Sequence, residues 1–513
     1  MKTLRSLCLG MALWSTTLAA EAPVDVKNPP QGRFSDEWLE LHLMGGKVGY
    51  AHSTMNRDGD TITTAMDMFM RMGRVDQPIT IEMTQSTKEY LNGQPIAFST
   101  QMQAGAMSTK MRGTIQDAKV TIVTSQFGMD QTQIFDFKPG WIMSWGLYRE
   151  SMLKGFTPGT EYVLKTYAPD LRLDGPVDVT TVVGDWETFE HEGLRRGQRV
   201  TAKMAAPIGE LEMTTWVDAN GVPLKMAVPA PGLGDMVMYA TDQASALADF
   251  VPPELFMTST VKADRKLDYK HIHQIKFTMR PKKQGAKLGS LPDTGMQSVH
   301  PGPNGASTIV VRRQDHHKPT HAAPVTNADM SEFLSPNLMI NTKDPQLIEL
   351  AHRAAGNEKD PYKLADRLRR FVTDYITEKN LTVAFATASE VCRMREGDCS
   401  EHGILLAALG RINGLPSRVV AGLAYVPLFG QQQDIFGYHM WTEFYIDHRW
   451  VNVDAALRET QCNPARIAMA TSSLKNAGMA DLSLPLLKKI GAIDLQVIEI
   501  DGHPVQLAAD RDR

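Results

Sequence analysis

Alternation of apolar and polar residues governs more than a third of this chain. From about residue 35 to 250, segments such as TITTAMDMFMRMG, AKVTIVTSQF and LEMTTWVDANGVPLKMAV change character at successive positions and are separated by Gly, Asn and Asp turns. A period of two sends neighbouring side chains to opposite faces, so each segment reads as a strand with one buried face. Turns this short join strands antiparallel. The stretch therefore predicts one large antiparallel β domain over 35–250, with a sheet strongly curved or folded over. Met66, Met68, Met70 and Met72 share one face of a single strand. That pattern favours a pliable apolar core over an adaptable binding groove or a soft-metal site.

A second β-rich stretch, 251–330, contains STVKADRKLDY, HIHQIKFTMR and STIVVRR around a Gly/Pro-rich loop, and predicts a smaller β domain. The pattern changes near residue 335. Asp344-Pro345 and Asp360-Pro361 each pair an N-cap residue with proline at the first helical position. Leu364, Leu368, Phe371, Val372 and Tyr375 then recur at helical spacing. More helix is expected from 382 to about 412, followed by three strands in VVAGLAYVPL, HMWTEFYI and WVNVDAAL. The expected architecture is multidomain, with an α+β domain over 335–513.

The opening residues, MKTLRSLCLGMALWSTTLAAEA, place Lys2 and Arg5 before an apolar run that ends in small residues, which predicts a signal peptide over 1–22. A periplasmic or secreted location follows as an expectation. No segment is long and apolar enough to predict a transmembrane span. A net charge of -4 with no basic patch argues against a nucleic-acid partner. Beyond the leader three cysteines remain, Cys392, Cys399 and Cys462. A bridge between Cys392 and Cys462 would spare Cys399, and two unpaired buried thiols fit the same count. His316, His317 and His321 lie in one loop and His271 and His273 on one expected strand face. Neither group has the carboxylates or cysteines that would complete a metal site, so no metal or cofactor is expected.

Cys399 sits in REGDCSEHG among Glu396, Asp398 and Glu401, a flank that opposes thiolate formation. Behind it GILLAALGRI has the spacing of a buried helix that stops at Asn413-Gly414. Cys399 then opens a helix, where backbone N–H groups and the macrodipole favour negative charge and one amide can face an oxyanion. His439 in GYHMWTEFY is the candidate base, and Asp454 in WVNVDAAL the carboxylate that orients its ring. A hairpin of strands 438–446 and 450–456, with a two-residue turn at His448-Arg449, sets Asp447 opposite Trp450 and puts residues 439 and 454 on one face. The acidic flank then becomes solvent-facing or capping, and Trp441 packs over the site.

GDCSEHGILLAALGRINGLPSRVVAGLAY followed by YHMWTEFYIDHRWVNVD resembles the transglutaminase-like superfamily over roughly 340–470. The resemblance implies a papain-like α+β fold with Cys399 as nucleophile, His439 as general base and acid, and Asp454 as the orienting carboxylate. It implies an exported cysteine hydrolase acting on peptide or amide bonds through a thioester, with a peptide or protein substrate associated with the cell envelope. Family members also transfer acyl groups from glutamine to amines, and some have lost activity, so crosslinking is one alternative; the other is a non-catalytic scaffold whose Met-lined β region binds an envelope component. Position 393 is arginine where a papain pattern would offer an oxyanion-binding glutamine.

Overall fold

The computed structural model describes residues 24–72, 78–105, 107–126, 129–206, 209–230, 233–254, 260–283, 289–315, 330–379, 386–475, 482, 486, 489 and 491–506. The leader, residues 382–385 of the expected helix, and the His316, His317 and His321 loop lie outside the described residues. The chain divides into two compact units, Met1–Glu254 and Leu255–Arg513.

In the first unit fourteen strands between Gly32 and Thr241 form one antiparallel sheet. Each strand pairs with its neighbour in sequence on either side of a seam, where the first strand, Gly32–Leu43, pairs with the last, Gly234–Thr241. The edges are Met129–Asp136 and Glu161–Thr166. The period-two reading holds along its length: Leu39, Leu41 and Leu43 are buried, as are Met66, Met68 and Met70. The methionines are therefore core side chains, whose unbranched stems fill irregular space.

The helix Ser144–Lys154 has no cap of its own, because Met143 cannot accept a hydrogen bond. Glu89, fully buried on the strand Ile79–Tyr90, supplies one instead. Its carboxyl accepts from the amides of Trp145 at 2.7 Å, Gly146 at 2.9 Å and Met143 at 3.2 Å. Trp145, sealed against Val26, Met55 and Ile62, donates its indole N–H to the carbonyl of Leu91 at 3.1 Å. Helix and sheet are thus joined by one acid and one aromatic ring.

The second unit contains both the 255–330 stretch and the 335–513 region. Its central strand Gln274–Pro281 pairs with Ser307–Arg312 on one side and with Ile493–Ile500, from near the end of the chain, on the other. A second sheet runs Val261–Lys262, Gln432–Ile446, Ser417–Phe429, Arg466–Ser472, with Arg449–Val453 also pairing to Gln432–Ile446. Phe277, Ile309 and Val311 from the first of these sheets share one core with Leu423, Phe436 and Ile467 from the second. Burial of apolar area common to both sheets makes them one cooperative body. His271 and His273 fall in the turn before Gln274 and are exposed, so they do not share a strand.

Burial raises the Glu89 carboxyl to about 7, against the opposing pull of its backbone donors. A folded-state value above the unfolded one gives stability that is full below about 4.5 and declines as pH rises through 7. Urea unfolding of the first unit should therefore show a loss of about 1–3 kcal/mol between pH 5 and 8, flattened in Glu89→Gln. Glu89→Ala should cost about 3 kcal/mol at pH 5, since three buried amides lose their acceptor. A cost under about 1 kcal/mol would mean that the carboxyl is not the cap.

Candidate active site

Two proline-led helices, Pro345–Ala355 and Pro361–Tyr375, start as their sequences require. Asp344 accepts from the amide of Gln346, and Asp360 from those of Tyr362 and Lys363. The helix Ala388–Met394 follows, then Cys399–Ile412, which is buried from Ser400 to Arg411. Gly410 allows this last helix to lie against the sheet, because a Cβ there would sit 2.1 Å from the Phe444 ring. Cys399 occupies the first position of the helix and is part-exposed, whereas Cys392 and Cys462 are buried; none of the three is in a disulfide. Burial pushes both buried thiols up, so neither is a ready nucleophile at neutral pH.

The first turns of this helix meet the strand Gln432–Ile446. Thr442 Oγ1 donates to the carbonyl of Gly403 at 2.9 Å, and Gly403 lies beside Met440. His439 is on the same strand, one residue before Met440. The strand turns at Asp447-His448, both with positive φ (48° and 60°), and returns as Arg449–Val453 with Ile446 opposite Arg449. The turn is therefore one residue earlier than the expected His448-Arg449, and Asp447 does not oppose Trp450. A two-residue loop with both residues left-handed is the tight hairpin that matches strand twist. Its even length keeps residues 439 and 454 on one face.

His439 Nε2 meets Asp454 Oδ2 at 2.7 Å. Asp454 is fully buried and has two further partners: the Leu457 amide donates to Oδ1 at 2.8 Å, and Arg466 Nη1 donates to Oδ2 at 3.2 Å. Burial alone would push this carboxyl up, but His439, Arg466 and the Leu457 amide together hold it well below the usual carboxylate range. Arg466, 2% exposed, also bonds Glu459 and the carbonyl of Asn463. Its guanidinium stacks over the Trp441 ring at 5.1 Å. The other partner of that ring is His439, with centroids 6.2 Å apart and planes 21° from parallel. Trp441 Nε1 is committed to Asn452 Oδ1 at 2.6 Å, so the indole packs the site rather than facing a reacting oxygen.

Comparison with families of known proteins matches residues 348–455 to the transglutaminase-like superfamily. These residues form a transglutaminase-like domain. Comparison with curated proteins finds no match. Among solved structures, a candidate cysteine protease from Cytophaga hutchinsonii is similar at 16% identity and a TM-score of 0.31, over 47% of this chain and 96% of that one. A β-barrel-like protein of a domain of unknown function from Brucella abortus is similar at 15% identity and 0.31, over 43% and 96%. A candidate protease from Parabacteroides distasonis is similar at 9% identity and 0.20, over 80% and 69%. At such scores the likeness carries no inference about activity.

Within the transglutaminase-like domain the acidic flank of Cys399 has a structural use. Asp398 is the N-cap, accepting from the Ser400 amide at 2.8 Å and from that of Glu401. Glu401 reaches back to the Asp398 amide at 2.9 Å, completing a capping box, and its other oxygen takes the Ala386 amide at 3.1 Å. Gly397, at a φ of 145°, leaves room for that carboxyl; a Cβ there would lie 2.3 Å from Glu401 Cβ. Burial, then the neighbouring Asp398 charge, pushes Glu401 well above its ordinary value. A carboxyl shifted toward its neutral form opposes a thiolate less than a solvated one would. Arg393, at the position where a papain pattern has glutamine, pairs with Asp344 at 2.9 Å.

Sequence reasoning named His439 and Asp454, which the fold brings into contact, and Cys399, which opens the helix packed on the His439 strand. It missed Arg466 and Glu459. A lone arginine in the apolar run ARIAMA was the available signal. Replacing Arg466 by Leu leaves the fully buried Asp454 and the part-exposed Glu459 without their cation and should cost about 3–5 kcal/mol in denaturant unfolding of the second unit. A change below about 1 kcal/mol would show that the guanidinium is dispensable.

Proposed function

We propose that the transglutaminase-like domain is the catalytic part of a cysteine hydrolase that cleaves a peptide or amide bond through a thioester on Cys399. The observation that carries this reading is the 2.7 Å contact of His439 Nε2 with Asp454 Oδ2 on the strand against which the Cys399 helix begins. With Nε2–H donated to the carboxylate, Nδ1 is left to take the thiol proton. The thiolate attacks the carbonyl carbon, a C–S bond forms, and the carbonyl electron pair moves to oxygen beside the first-turn amides of the helix. Collapse breaks the C–N bond, and the departing amine takes its proton from the His439 imidazolium. Water, deprotonated by the same ring, then attacks the thioester and releases the acid and the thiol.

The leader-like segment from Lys2 to Ala22 supports action outside the cytoplasm, periplasmic or secreted, on an envelope peptide or protein. Iodoacetamide tests the nucleophile directly. At pH 7 it should label one thiol, Cys399, about tenfold to thirtyfold faster than in His439→Ala, because an ordinary thiol is only a few per cent ionised there. Cys399→Ser should abolish the fast phase and any cleavage of a fluorogenic peptide library. Slow labelling indifferent to His439→Ala would defeat the proposal.

A further inference from the structure

Asp454 opens a short closed loop. Its backbone and that of Glu459 exchange both hydrogen bonds at 2.8 Å, which ties off residues 455–458. The Leu457 amide is spent on Asp454 Oδ1, and Arg458 takes a left-handed φ of 62°, uncommon for a residue other than glycine. The Arg458 side chain is exposed at this corner.

A second segment reaches the same place from the other side. Thr373, near the end of the helix Pro361–Tyr375, donates its hydroxyl to the carbonyl of Ala455 at 2.7 Å. Thr377 and Glu378 then donate their amides to the Arg395 carbonyl at 3.0 and 3.3 Å, and the Glu378 carbonyl accepts the Gly397 amide at 3.0 Å. This stretch therefore runs from the Asp454 loop to the residues that lead into Cys399. Lys379 is the next residue along it and is exposed. Partial burial, and then the Arg458 charge, lower the Lys379 ammonium from its ordinary value, and the weaker pull of Asp374 does not restore it. Burial also lowers the ring of His402, one turn after Cys399; the Asp398 carbonyl opposes that shift and the Lys379 charge adds to it. Neither Lys379 nor Arg458 has an ion-pair partner among the described residues. Two cations held together at the edge of a site raise its positive potential and draw an anion there.

We propose that Lys379 and Arg458 determine specificity, forming a cationic rim that selects peptides with a carboxylate beside the bond cleaved. This deepens the cysteine hydrolase reading above and rests on it. The carboxylate belongs to an acidic side chain or to a free chain end, and both offer the same two oxygens to the cations. Cations that merely favoured the Cys399 thiolate would speed every substrate alike. Cations that bind the substrate's carboxylate separate a charged peptide from its neutral isostere.

Quenched fluorogenic peptides in matched pairs test this on the full chain: Glu against Gln on either side of the bond cleaved, and a free C-terminus against its amide. In at least one pair kcat/KM should favour the charged member by about tenfold, and the ratio should shrink as salt rises from about 0.02 to about 0.5 M. Lys379→Gln and Arg458→Gln should each lower that ratio by about threefold to tenfold. Both side chains are exposed, so neither change puts folding at stake. Lys379→Glu combined with Arg458→Glu should turn the preference toward Lys over Gln at the same position. A wild-type ratio near one in every pair, a fast-labelling thiol that cleaves none of the charged peptides, or variants that slow both members equally would overturn the rim. Absence of both cleavage and a fast-labelling thiol would remove the hydrolase reading, and the rim with it.

Discussion

One carboxylate organises the transglutaminase-like domain. Asp454 has no contact with water and is kept ionised by an imidazole, a guanidinium and a backbone amide. Charges in such a place persist only when each is paired, and that condition ties four pieces of chain together. The hairpin must return at Asp447-His448, the strand carrying Arg466 must lie on the far side of Ser417–Phe429, and Trp441 must pack against both ring and guanidinium. The tautomer of His439 follows from the same contact. The chemistry proposed for the site depends on a network whose direct role is to keep one charge buried.

The second constraint is the start of the Cys399 helix. A thiol among acidic residues looks misplaced while those residues are read as solvated anions. Folded, Asp398 and Glu401 close the first turn on each other, and burial shifts Glu401 toward its neutral form. The same residues that appear to oppose a thiolate build the helix end that favours one. Glu89 follows a related logic in the first unit, where an acid from a strand closes a helix that lacks a cap residue of its own. In both units, buried carboxyls serve the open ends of helices.

Much of this could be read along the chain because the relevant physics is short in range. Asp344-Pro345 and Asp360-Pro361 stop and start helices through contacts two or three residues away. The alternating methionines declare a strand face by themselves. The hairpin shows the limit of such reading. Its turn was placed one residue late, since Asp447-His448 adopts left-handed angles that neither residue type requires. The shared face of His439 and Asp454 survived because parity depends only on an even loop length.

The sequence by itself determined the strand period from about residue 35 to 250, the helix starts, and the order of cysteine, histidine and aspartate. Each is fixed by backbone geometry or by spacing within a few residues. Tertiary structure alone decided that Ile493–Ile500 pairs with Gln274–Pro281, more than two hundred residues earlier in the chain. It also decided that Arg466 shares the Asp454 carboxylate and that Glu89 caps a helix more than fifty residues later. These choices concern which charges and apolar faces occupy one buried volume, and that depends on closing long stretches of chain, which no local pattern records.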